Sequence, residues 1–435
     1  MKKIFCLFLS ILTFTVVVSA GCKSTPPEAE YLDLTYQNGV VTVDGDQNVN
    51  SYNFYVNDKL LVNSQTNQID VARAVIDNRP IPFGKWKVTV DGLNVQGQTI
   101  IKTKKSLAFD IKELNQENIY TVLKGEYNST DYFLVSEDIY IYAKGPSNDG
   151  SINDYKTISF SADDRVAETN GNLNALFLFG KPFTATLDGD GYSLNFIIDQ
   201  HINWLGSQLP FVFGGIFGTI ESGALVKNWQ VFTDSVYEVR SRLYASASFV
   251  YSLYGKVENL FVSQINRPMV RPTTNDLYGH ETDNYLDKTD NCLAIFSHVY
   301  NGAEIKNCVF NNAIYNLSGE QVAGGGVVAR CQREVSFNSC AFISAVGNAR
   351  FFTQTMDHNF RESTVDDYVE NASNIYFYSS ISNFFSGVGK KVSGQLLWSP
   401  TYEDFSGNPL ADFGDGWAEE DGDIFLLDKQ IYIYD

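Results

Sequence analysis

The feature that most constrains the fold is a repeat in the second half of the chain. Four segments each contain a short apolar strand, a turn that often holds glycine, and a second apolar strand beginning near an asparagine: FGGIFGTIESGALVKNWQVF, SASFVYSLYGKVENLFVS, LAIFSHVYNGAEIKNCVFNN and GGGVVARCQREVSFNSCAFIS. The period is about 32 residues, with one longer interval. Such β-rich repeats favour a parallel β-helix over a helical solenoid, with one coil per repeat. The anchor positions are Asn195, Asn228, Asn259, Asn307, Ser339 and Asn374.

The repeat makes two predictions about side chains. Anchor asparagines are expected at turns, where the amide satisfies backbone groups or stacks as a ladder. The residues that follow the first five anchors are expected to point inward and to form ladders between coils. These residues are Phe196, Trp229, Leu260, Cys308 and Cys340. Cys308 and Cys340 would then be neighbours, either as a disulfide or as a pair of buried free thiols.

Residues 31–112 show a different pattern, with apolar residues at every second position and turn residues between the runs. In GKWKVTVDGLNVQG, for example, Trp86, Val88 and Val90 share one face. This predicts an immunoglobulin-like or fibronectin-III-like β-sandwich that serves as a spacer. The expected fold class is therefore all-β, with this sandwich followed by a right-handed parallel β-helix over residues 113–435.

The first 30 residues are expected to export and anchor the chain. A basic start and an apolar run end in Ser-Ala-Gly before Cys22, as in a bacterial lipobox, so residues 1–21 are interpreted as a lipoprotein signal peptide. Cys22 would carry the lipid and residues 22–30 would form a tether. Cleavage before Cys22 without lipidation is the alternative. The expected location is the cell envelope, facing the extracellular side.

Charge and motifs exclude several functions. The formal net charge of −19 disfavours nucleic acid and anionic membrane surfaces as partners. The cysteines lack CxxC spacing, which argues against zinc. The turn LDGDGY resembles a calcium loop through Asp188 and Asp190, but Thr186 and Ile197 stand where an EF-hand loop needs acidic ligands. A glycine turn is favoured there, and no metal or cofactor is expected.

A long insertion at residues 267–291 is the candidate ligand-binding loop. It reads RPMVRPTTNDLYGHETDNYLDKTDN, and loops projecting from a rigid scaffold often carry function. Polysaccharide lyases and glycoside hydrolases with β-helix folds place acids and bases in such clefts, but neither a lyase arginine motif nor a paired carboxylate motif is present. Its candidate contact residues are Arg267, Arg271, Asp276, His280 and Asp283.

The C-terminal segment DFGDGWAEEDGDIFLL combines an acidic turn with apolar strands. Asp415, Asp421 and Asp423 could chelate a cation, but a solvated capping turn is favoured. A cap is expected because an open β-helix end exposes unpaired strand edges.

One family resemblance accompanies these patterns. The turn Leu187 to Tyr192, the strand Gly215 to Gly218 and the strand Val226 to Asn228 resemble GLUG-type β-helix repeats, over roughly residues 116 to 345. The resemblance implies a bacterial surface or secreted protein, often an adhesin or a polysaccharide-associated module. We therefore expect a non-enzymatic surface lipoprotein that binds an extracellular glycan or protein; the alternative is a polysaccharide lyase or glycoside hydrolase with its cleft near residues 267–291.

Overall fold

A computed structural model describes most of the chain after residue 30, and β-strands predominate in it. The described residues are 31–44, 48–72, 74–76, 79–80, 83–144, 151–159, 165–167, 174–200, 212–238, 246–269, 293–315, 321–324, 326–332, 334–344, 352–355, 372–379, 397–399, 417–420 and 423–426. The predicted signal peptide, Cys22 and the tether lie outside them.

The N-terminal unit contains two antiparallel sheets that share one buried cluster, and a separate two-stranded pairing of Val75–Ile76 with Arg79–Pro80. One sheet has the order β1-β2-β5, and in the other β8 pairs with β3, β9 and β10 while β3 pairs with β4. Val41 and Val43 of the first sheet join Phe54, Val88 and Val90 of the second in the same core. The strands are β1 Leu34–Gln37, β2 Val40–Val43, β3 Ser51–Val56, β4 Lys59–Ser64, β5 Gln68–Asp70, β6 Val75–Ile76, β7 Arg79–Pro80, β8 Gly84–Leu93, β9 Thr99–Lys102 and β10 Leu107–Leu114.

The junction with the repeats is a continuous sheet. Strand β10 pairs antiparallel with β8 on one side and parallel with β11, Asp131–Val135, on the other. The expected boundary after residue 112 therefore falls inside a strand. Helix α1, Ile119–Lys124, follows β10 and buries Ile119 and Leu123 in the core of the repeats.

The repeats alternate between two parallel stacks, the arrangement of a parallel β-helix. The chain passes from a strand of a seven-stranded sheet to a strand of the long sheet and back, and equivalent strands of successive coils pair in parallel. Two short strands pair antiparallel instead: Arg165–Ala167 with Asn174–Phe179, and Gln321–Gly324 with Glu304–Tyr315. Strands of the long sheet are β12 Ile139–Lys144, β13 Lys156–Ser159, β16 Thr186–Asp188, β17 Ser193–Gln200, β19 Leu225–Glu238, β21 Lys256–Met269, β23 Glu304–Tyr315, β24 Gln321–Gly324, β26 Ser336–Ser344, β28 Ala372–Ser379 and β29 Leu397–Ser399. Those of the seven-stranded sheet are β14 Arg165–Ala167, β15 Asn174–Phe179, β18 Val212–Ile220, β20 Ser246–Leu253, β22 Leu293–Val299, β25 Gly326–Cys331 and β27 Phe352–Thr355.

The register confirms the repeat for five of the six anchors and corrects the sixth. Leu225 pairs with Lys256, Lys256 with Glu304 and Glu304 with Ser336, which aligns Asn228, Asn259, Asn307 and Ser339. The flanking pairs Asn338–Ser373 and Cys340–Ile375 place Asn374 opposite Ser339. The assignment of Asn195 as an anchor is wrong, because Asn195 pairs with Phe232. The four-residue turn between β16 and β17 displaces it from the anchor position.

Four of the anchors adopt a left-handed backbone conformation inside a strand, whereas the sequence predicted them at turns. The φ angles are 53° at Asn228, 51° at Asn259, 53° at Asn307 and 53° at Ser339. Asparagine tolerates this region better than most residues. The Asn259 amide donates to the Asn228 side-chain oxygen at 3.0 Å, so the predicted amide ladder is confirmed for this pair. Each anchor therefore bends its strand at the same point of the coil.

The interior is filled by side chains that stack from coil to coil. Trp229, Leu260, Cys308 and Cys340 are fully buried, as predicted, and Phe196 is buried at a different register position. A column of rings also runs through the core, and neighbouring centroids lie 5.4 Å to 6.3 Å apart. Burying each large apolar side chain contributes about 2 to 3 kcal/mol. The column comprises Phe133, Phe183, Phe217, Phe249, Phe296 and Phe310.

The described part of the C-terminal segment is a hairpin of β30, Trp417–Glu420, and β31, Asp423–Leu426. Strand β31 approaches β19 and β21, which are middle strands of the long sheet. Asp423 lies at the start of β31, whereas Asp415 and Asp421 lie outside the described residues. A cap on the last coil stays a prediction.

Candidate functional site

A band of aromatic side chains crosses the seven-stranded sheet near the carboxyl ends of β20 and β22. We call this group the aromatic band; its members are Phe177, Tyr251, Tyr254, His298 and Tyr300. Ring centroids lie 5.7 Å apart for Phe177–Tyr251, 5.1 Å for Tyr251–His298, 6.2 Å for His298–Tyr300 and 4.1 Å for Tyr254–Tyr300. The band is thus one connected series of rings.

The repeat itself assembles the band. Tyr254 and Tyr300 each follow the last residue of a strand in consecutive coils, so the parallel register stacks their rings at an interplanar angle of 7°. Gly218 lies between Phe177 and Tyr251 in the stack, and a Cβ there would stand 3.4 Å from the Phe177 ring. A side chain at this position would thus stand in van der Waals contact with the Phe177 ring.

Exposure within the band is graded. Phe177 is buried, His298 is 9% exposed, and the three tyrosines are half-buried. The Ser297 hydroxyl and His298 Nδ1 share a hydrogen bond of 2.9 Å, which holds the imidazole in place. The surface therefore offers the partly exposed tyrosines, whereas the imidazole lies beneath it.

The Tyr254 hydroxyl stays protonated at physiological pH. Burial raises its pKa to about 12, with a smaller contribution from the hydrogen bond with Tyr300. A neutral phenol can both donate and accept a hydrogen bond. The stacked tyrosine pair thus supplies polar groups beside an apolar ring surface.

The predicted ligand-binding loop is described only at its first residues. Arg267 lies in β21 with its backbone paired to Val236, and nothing further is assigned to its side chain. Arg271, Asp276, His280 and Asp283 lie outside the described residues. The chain enters β22 at Leu293, and Val299 lies six residue steps further along the strand, a rise of roughly 20 Å. The aromatic band and the loop entry thus lie at opposite ends of β22.

The acidic turn at residues 187–192 belongs to the fold. Asp188 is fully buried: Tyr132 donates its hydroxyl to Oδ2, and the Asn228 amide donates to Oδ1 at 3.0 Å. The backbone N–H of Asp190 also donates to Oδ1 at 3.0 Å, and Lys227 Nζ lies 3.7 Å from Oδ2. The carboxylate is thus engaged by protein donors. Within the described residues, no group of three His, Cys, Asp or Glu side chains is arranged to hold a metal ion.

The stacked cysteines are buried thiols. Cys308 pairs in register with Cys340, and both are free. Cys308 Sγ donates to the Lys306 carbonyl at 3.0 Å, and Cys340 Sγ lies 3.6 Å from the Ile305 carbonyl. Burial, followed by the neighbouring Cys340 thiol, raises the pKa of Cys308 well above its usual value. These thiols act as small core residues.

The aromatic band was not predicted from the sequence. A signal was present, because the aligned repeats FVYSLYG and IFSHVYNG end in tyrosines at equivalent positions. If the two repeats are aligned as neighbouring coils, Tyr254 and Tyr300 occupy equivalent positions and are expected to stack. The approach of Phe177 to Tyr251 joins residues two coils apart and could be seen only in the structure.

No protein-family model and no curated protein matches the chain. Among solved structures, the chain is similar to an IgA1 protease, with 11% identity and a TM-score of 0.33 over 86% of this chain and 29% of that chain. It is also similar to the family 28 exopolygalacturonase of Yersinia enterocolitica, with 9% identity and a TM-score of 0.23 over 84% and 89% of the two chains. This chain thus spans under a third of the IgA1 protease. A separate observation concerns helices: within the described residues, none is long and apolar enough to cross a membrane.

Proposed function

We propose that this protein is a lipid-anchored protein of the bacterial cell surface that binds a glycan, without cleaving it, through the aromatic band. The observation that carries the proposal is a connected series of rings over β20 and β22 in which the three tyrosines are partly exposed and His298 is buried between them. Sugar rings have apolar C–H faces and polar hydroxyl edges. Aromatic rings with polar tips match both features, as Tyr251, Tyr254 and Tyr300 do here.

The rest of the chain has a supporting role in this proposal. Residues 31–112 form an immunoglobulin-like or fibronectin-III-like spacer, and the coils wind in the right-handed sense that parallel crossovers strongly prefer. The resemblance to GLUG-type repeats supports a surface location. The rigid coils hold the aromatic band in one geometry, which lowers the entropy lost on binding.

A binding assay with matched variants tests the proposal. The protein lacking residues 1–22 is incubated with a panel of neutral and acidic polysaccharides, and retention is measured by affinity electrophoresis and calorimetry. Tyr251→Ala and Tyr300→Ala are each expected to weaken binding about tenfold, because each removes a stacking ring. Tyr31→Ala is the control, since Tyr31 is an exposed tyrosine of the N-terminal unit. Equal retention of all variants, or no retention by the wild type, would contradict the proposal.

The same incubation examines cleavage. New reducing or unsaturated ends are measured after incubation with each polysaccharide. We expect none. Cleavage that disappears in His280→Ala or Arg271→Ala would instead establish an enzyme with its cleft at residues 267–291.

The anchor is tested separately from the glycan site. In cells that express the full chain, Cys22→Ala is expected to abolish incorporation of labelled fatty acid and to release the protein from the membrane fraction. Unchanged membrane association of this variant would contradict lipidation at Cys22.

A further inference from the structure

One edge of the N-terminal unit exposes apolar side chains to solvent. Val95, in the turn between β8 and β9, is 74% exposed, and Ile100 of β9 and Tyr31 are each 47% exposed. Leu32 forms a parallel bridge with Thr103, which brings Tyr31 beside the end of β9. The three exposed side chains therefore follow a single edge of the unit, from the tip of a hairpin to the start of the described chain.

Lysines accompany these apolar side chains. Lys102 lies two residues after Ile100, so both side chains point to the same face of β9, and Lys102 Nζ lies 3.2 Å from the Asp91 carboxylate. Lys104 Nζ lies 5.1 Å from the centre of the Tyr31 ring. Apolar and aromatic side chains mixed with lysines suit the boundary between lipid headgroups and acyl chains. We call this group the β9 edge; its members are Tyr31, Val95, Ile100, Lys102 and Lys104.

The turn at the tip of the hairpin is ordered by its own hydrogen bonds. Asn94 Oδ1 accepts from the backbone N–H of Gln96 at 3.0 Å and from that of Gln98 at 2.9 Å. The Gly97 N–H donates to the Asn94 carbonyl at 2.9 Å, and Gly97 has a φ angle of 74°. Because the turn is already held in one shape, presenting Val95 to a surface costs little conformational entropy.

The chain keeps the β9 edge close to the proposed lipid anchor. Residues 22–30 separate Cys22 from Tyr31, and a stretch of this length spans at most about 30 Å even when fully extended. Tyr31 is itself a member of the β9 edge. A lipid on Cys22 therefore holds this edge, rather than the later coils, within reach of the bilayer.

The distribution of charge favours the same orientation. Residues 31–114 contain nine Lys and Arg residues and nine Asp and Glu residues, whereas residues 115–435 contain 20 and 40, respectively. The negative charge that disfavours an anionic membrane as a partner of the whole chain thus belongs to the part that follows the N-terminal unit. An anionic bilayer repels that part and leaves the neutral N-terminal unit to face the lipid.

From these observations we infer that the β9 edge docks on the phospholipid bilayer to which Cys22 attaches the chain. Val95 and Ile100 enter the boundary between headgroups and acyl chains, and Lys104 lies at the lipid phosphates. The inference rests on the lipid anchor of the proposed function and adds a second membrane contact to it. A weak contact suffices, because a short tether gives an effective concentration in the millimolar range. Docking fixes the direction in which the coils leave the membrane.

Hydrogen exchange on a chemically tethered chain tests the inference. A chain that begins at Cys22 and carries Cys292→Ser is coupled through Cys22 to a maleimide phospholipid in vesicles of phosphatidylglycerol and phosphatidylethanolamine. The same chain capped with N-ethylmaleimide stays in solution as the reference. Three buried thiols are left unmodified under native conditions: Cys308, Cys331 and Cys340.

The expected signal is local. Amide exchange at residues 94–98 should slow about threefold or more on the vesicles, because the tether keeps the turn at a high effective concentration of lipid surface. Exchange at residues 57–64 should stay unchanged. These residues belong to β4 and the turn before it, and β4 pairs with β3, on the other side of β8 from β9.

Matched variants locate the contact. Val95→Glu combined with Ile100→Glu places two carboxylates on the β9 edge and is expected to abolish the slowing at residues 94–98. Leu60→Glu is the control and should keep the slowing, because Leu60 is 54% exposed but lies in β4. All of these positions are exposed, and melting temperatures within about 3 °C of the wild type show that each variant has kept its fold.

The outcomes separate the docked edge from the anchor. Unchanged exchange on the vesicles, or slowing that survives the double substitution, overturns docking. Slowing in the capped chain that grows with protein concentration identifies a second copy of the chain as the occupant of the β9 edge and also overturns it. None of these results bears on lipidation or glycan binding, because the coupling is chemical; Cys22→Ala and the tyrosine variants decide those two.

Discussion

At the scale of single residues, Asp188 joins three parts of the molecule. Its carboxylate accepts hydrogen bonds from Tyr132 of β11 and from Asn228, the first amide of the ladder. Lys227, 3.7 Å from this carboxylate, also lies 3.9 Å from Asp70 in the N-terminal unit. A fully buried carboxylate is stable only when it is paired and hydrogen-bonded, and these donors supply both. One charge thus couples the N-terminal unit, the first coil and the ladder.

Replacing this carboxylate should therefore destabilise the whole chain. Asp188→Ala removes the acceptor of the Tyr132 and Asn228 hydrogen bonds and the carboxylate beside Lys227, so we expect a loss on the order of 3 kcal/mol in the free energy of unfolding. Urea denaturation at neutral pH measures it. Asp33→Ala, at an exposed position, is the control and should change stability by less than about 0.5 kcal/mol. A similar small change for Asp188→Ala would contradict the assigned role.

A second residue-scale prediction concerns alkaline pH. Burial raises the pKa of the Cys331 thiol from 9.0 to about 12. The unfolded thiol loses its proton first, so this group favours folding below about pH 9 and the contribution is lost as pH rises from 9 toward 12. The wild type should lose about 1.4 kcal/mol more stability than Cys331→Ala between pH 7 and pH 10. Parallel pH profiles in urea denaturation of the two proteins would contradict the prediction.

At the scale of elements, the turn between β16 and β17 takes the place of a single anchor residue. Asp190 and Gly191 have φ angles of 52° and 81°, and a Cβ on Gly189 would lie 2.5 Å from the Asn228 carbonyl oxygen. The glycines of this turn therefore allow the first coil to approach the second. The aspartates and glycines that resemble a calcium loop therefore shape a turn that lets neighbouring coils pack closely.

This turn gives a paired prediction. Gly191→Val places a β-branched residue at φ 81° and should lower stability by about 1 to 3 kcal/mol, seen as a lower melting temperature. Addition of a chelator to the wild type should leave the melting temperature unchanged. A large effect of chelator would restore the calcium interpretation of Asp188 and Asp190.

The strands and turns also show which parts of the fold can be predicted from the sequence. The later coils were predictable because Asn228, Asn259, Asn307 and Ser339 repeat one backbone conformation at one point of the coil. The first coil was misaligned because its longer turn shifts Asn195 away from that point. The aromatic band escaped prediction because its members belong to different coils, and only the register shows which of them meet.

At the scale of the whole molecule, the N-terminal unit and the coils share structure. The long sheet runs from β4 through β8 and β10 into β11, and Tyr132 of β11 is buried in the core of the N-terminal unit. Two units linked by a continuous sheet and a shared buried side chain should unfold together.

Calorimetry tests this cooperativity. The protein lacking residues 1–22 should show one transition, and a chain that begins at residue 113 should melt at a lower temperature and aggregate, because its β11 edge is left unpaired. Tyr132→Phe should lower the single transition without splitting it. Two separate transitions in the wild type would show that the units fold independently.

The corner between β21 and β22 has a consequence for how this protein can diversify. Leu225 pairs with Lys256, and Lys256 pairs with Glu304, so the three strands begin in register. The stretch of chain from Lys256 to Glu304 is nevertheless longer than the stretch from Leu225 to Lys256. The stack thus accepts additional residues between β21 and β22 while the register of β21 with β23 is kept, and the entropy of closing a loop grows slowly with its length. The pairing of β20 with β22 is irregular at this end, between Ala247 and Val250. In evolutionary terms, this connection is a place where sequence can be added while the aromatic band, at the other end of β22, keeps its geometry.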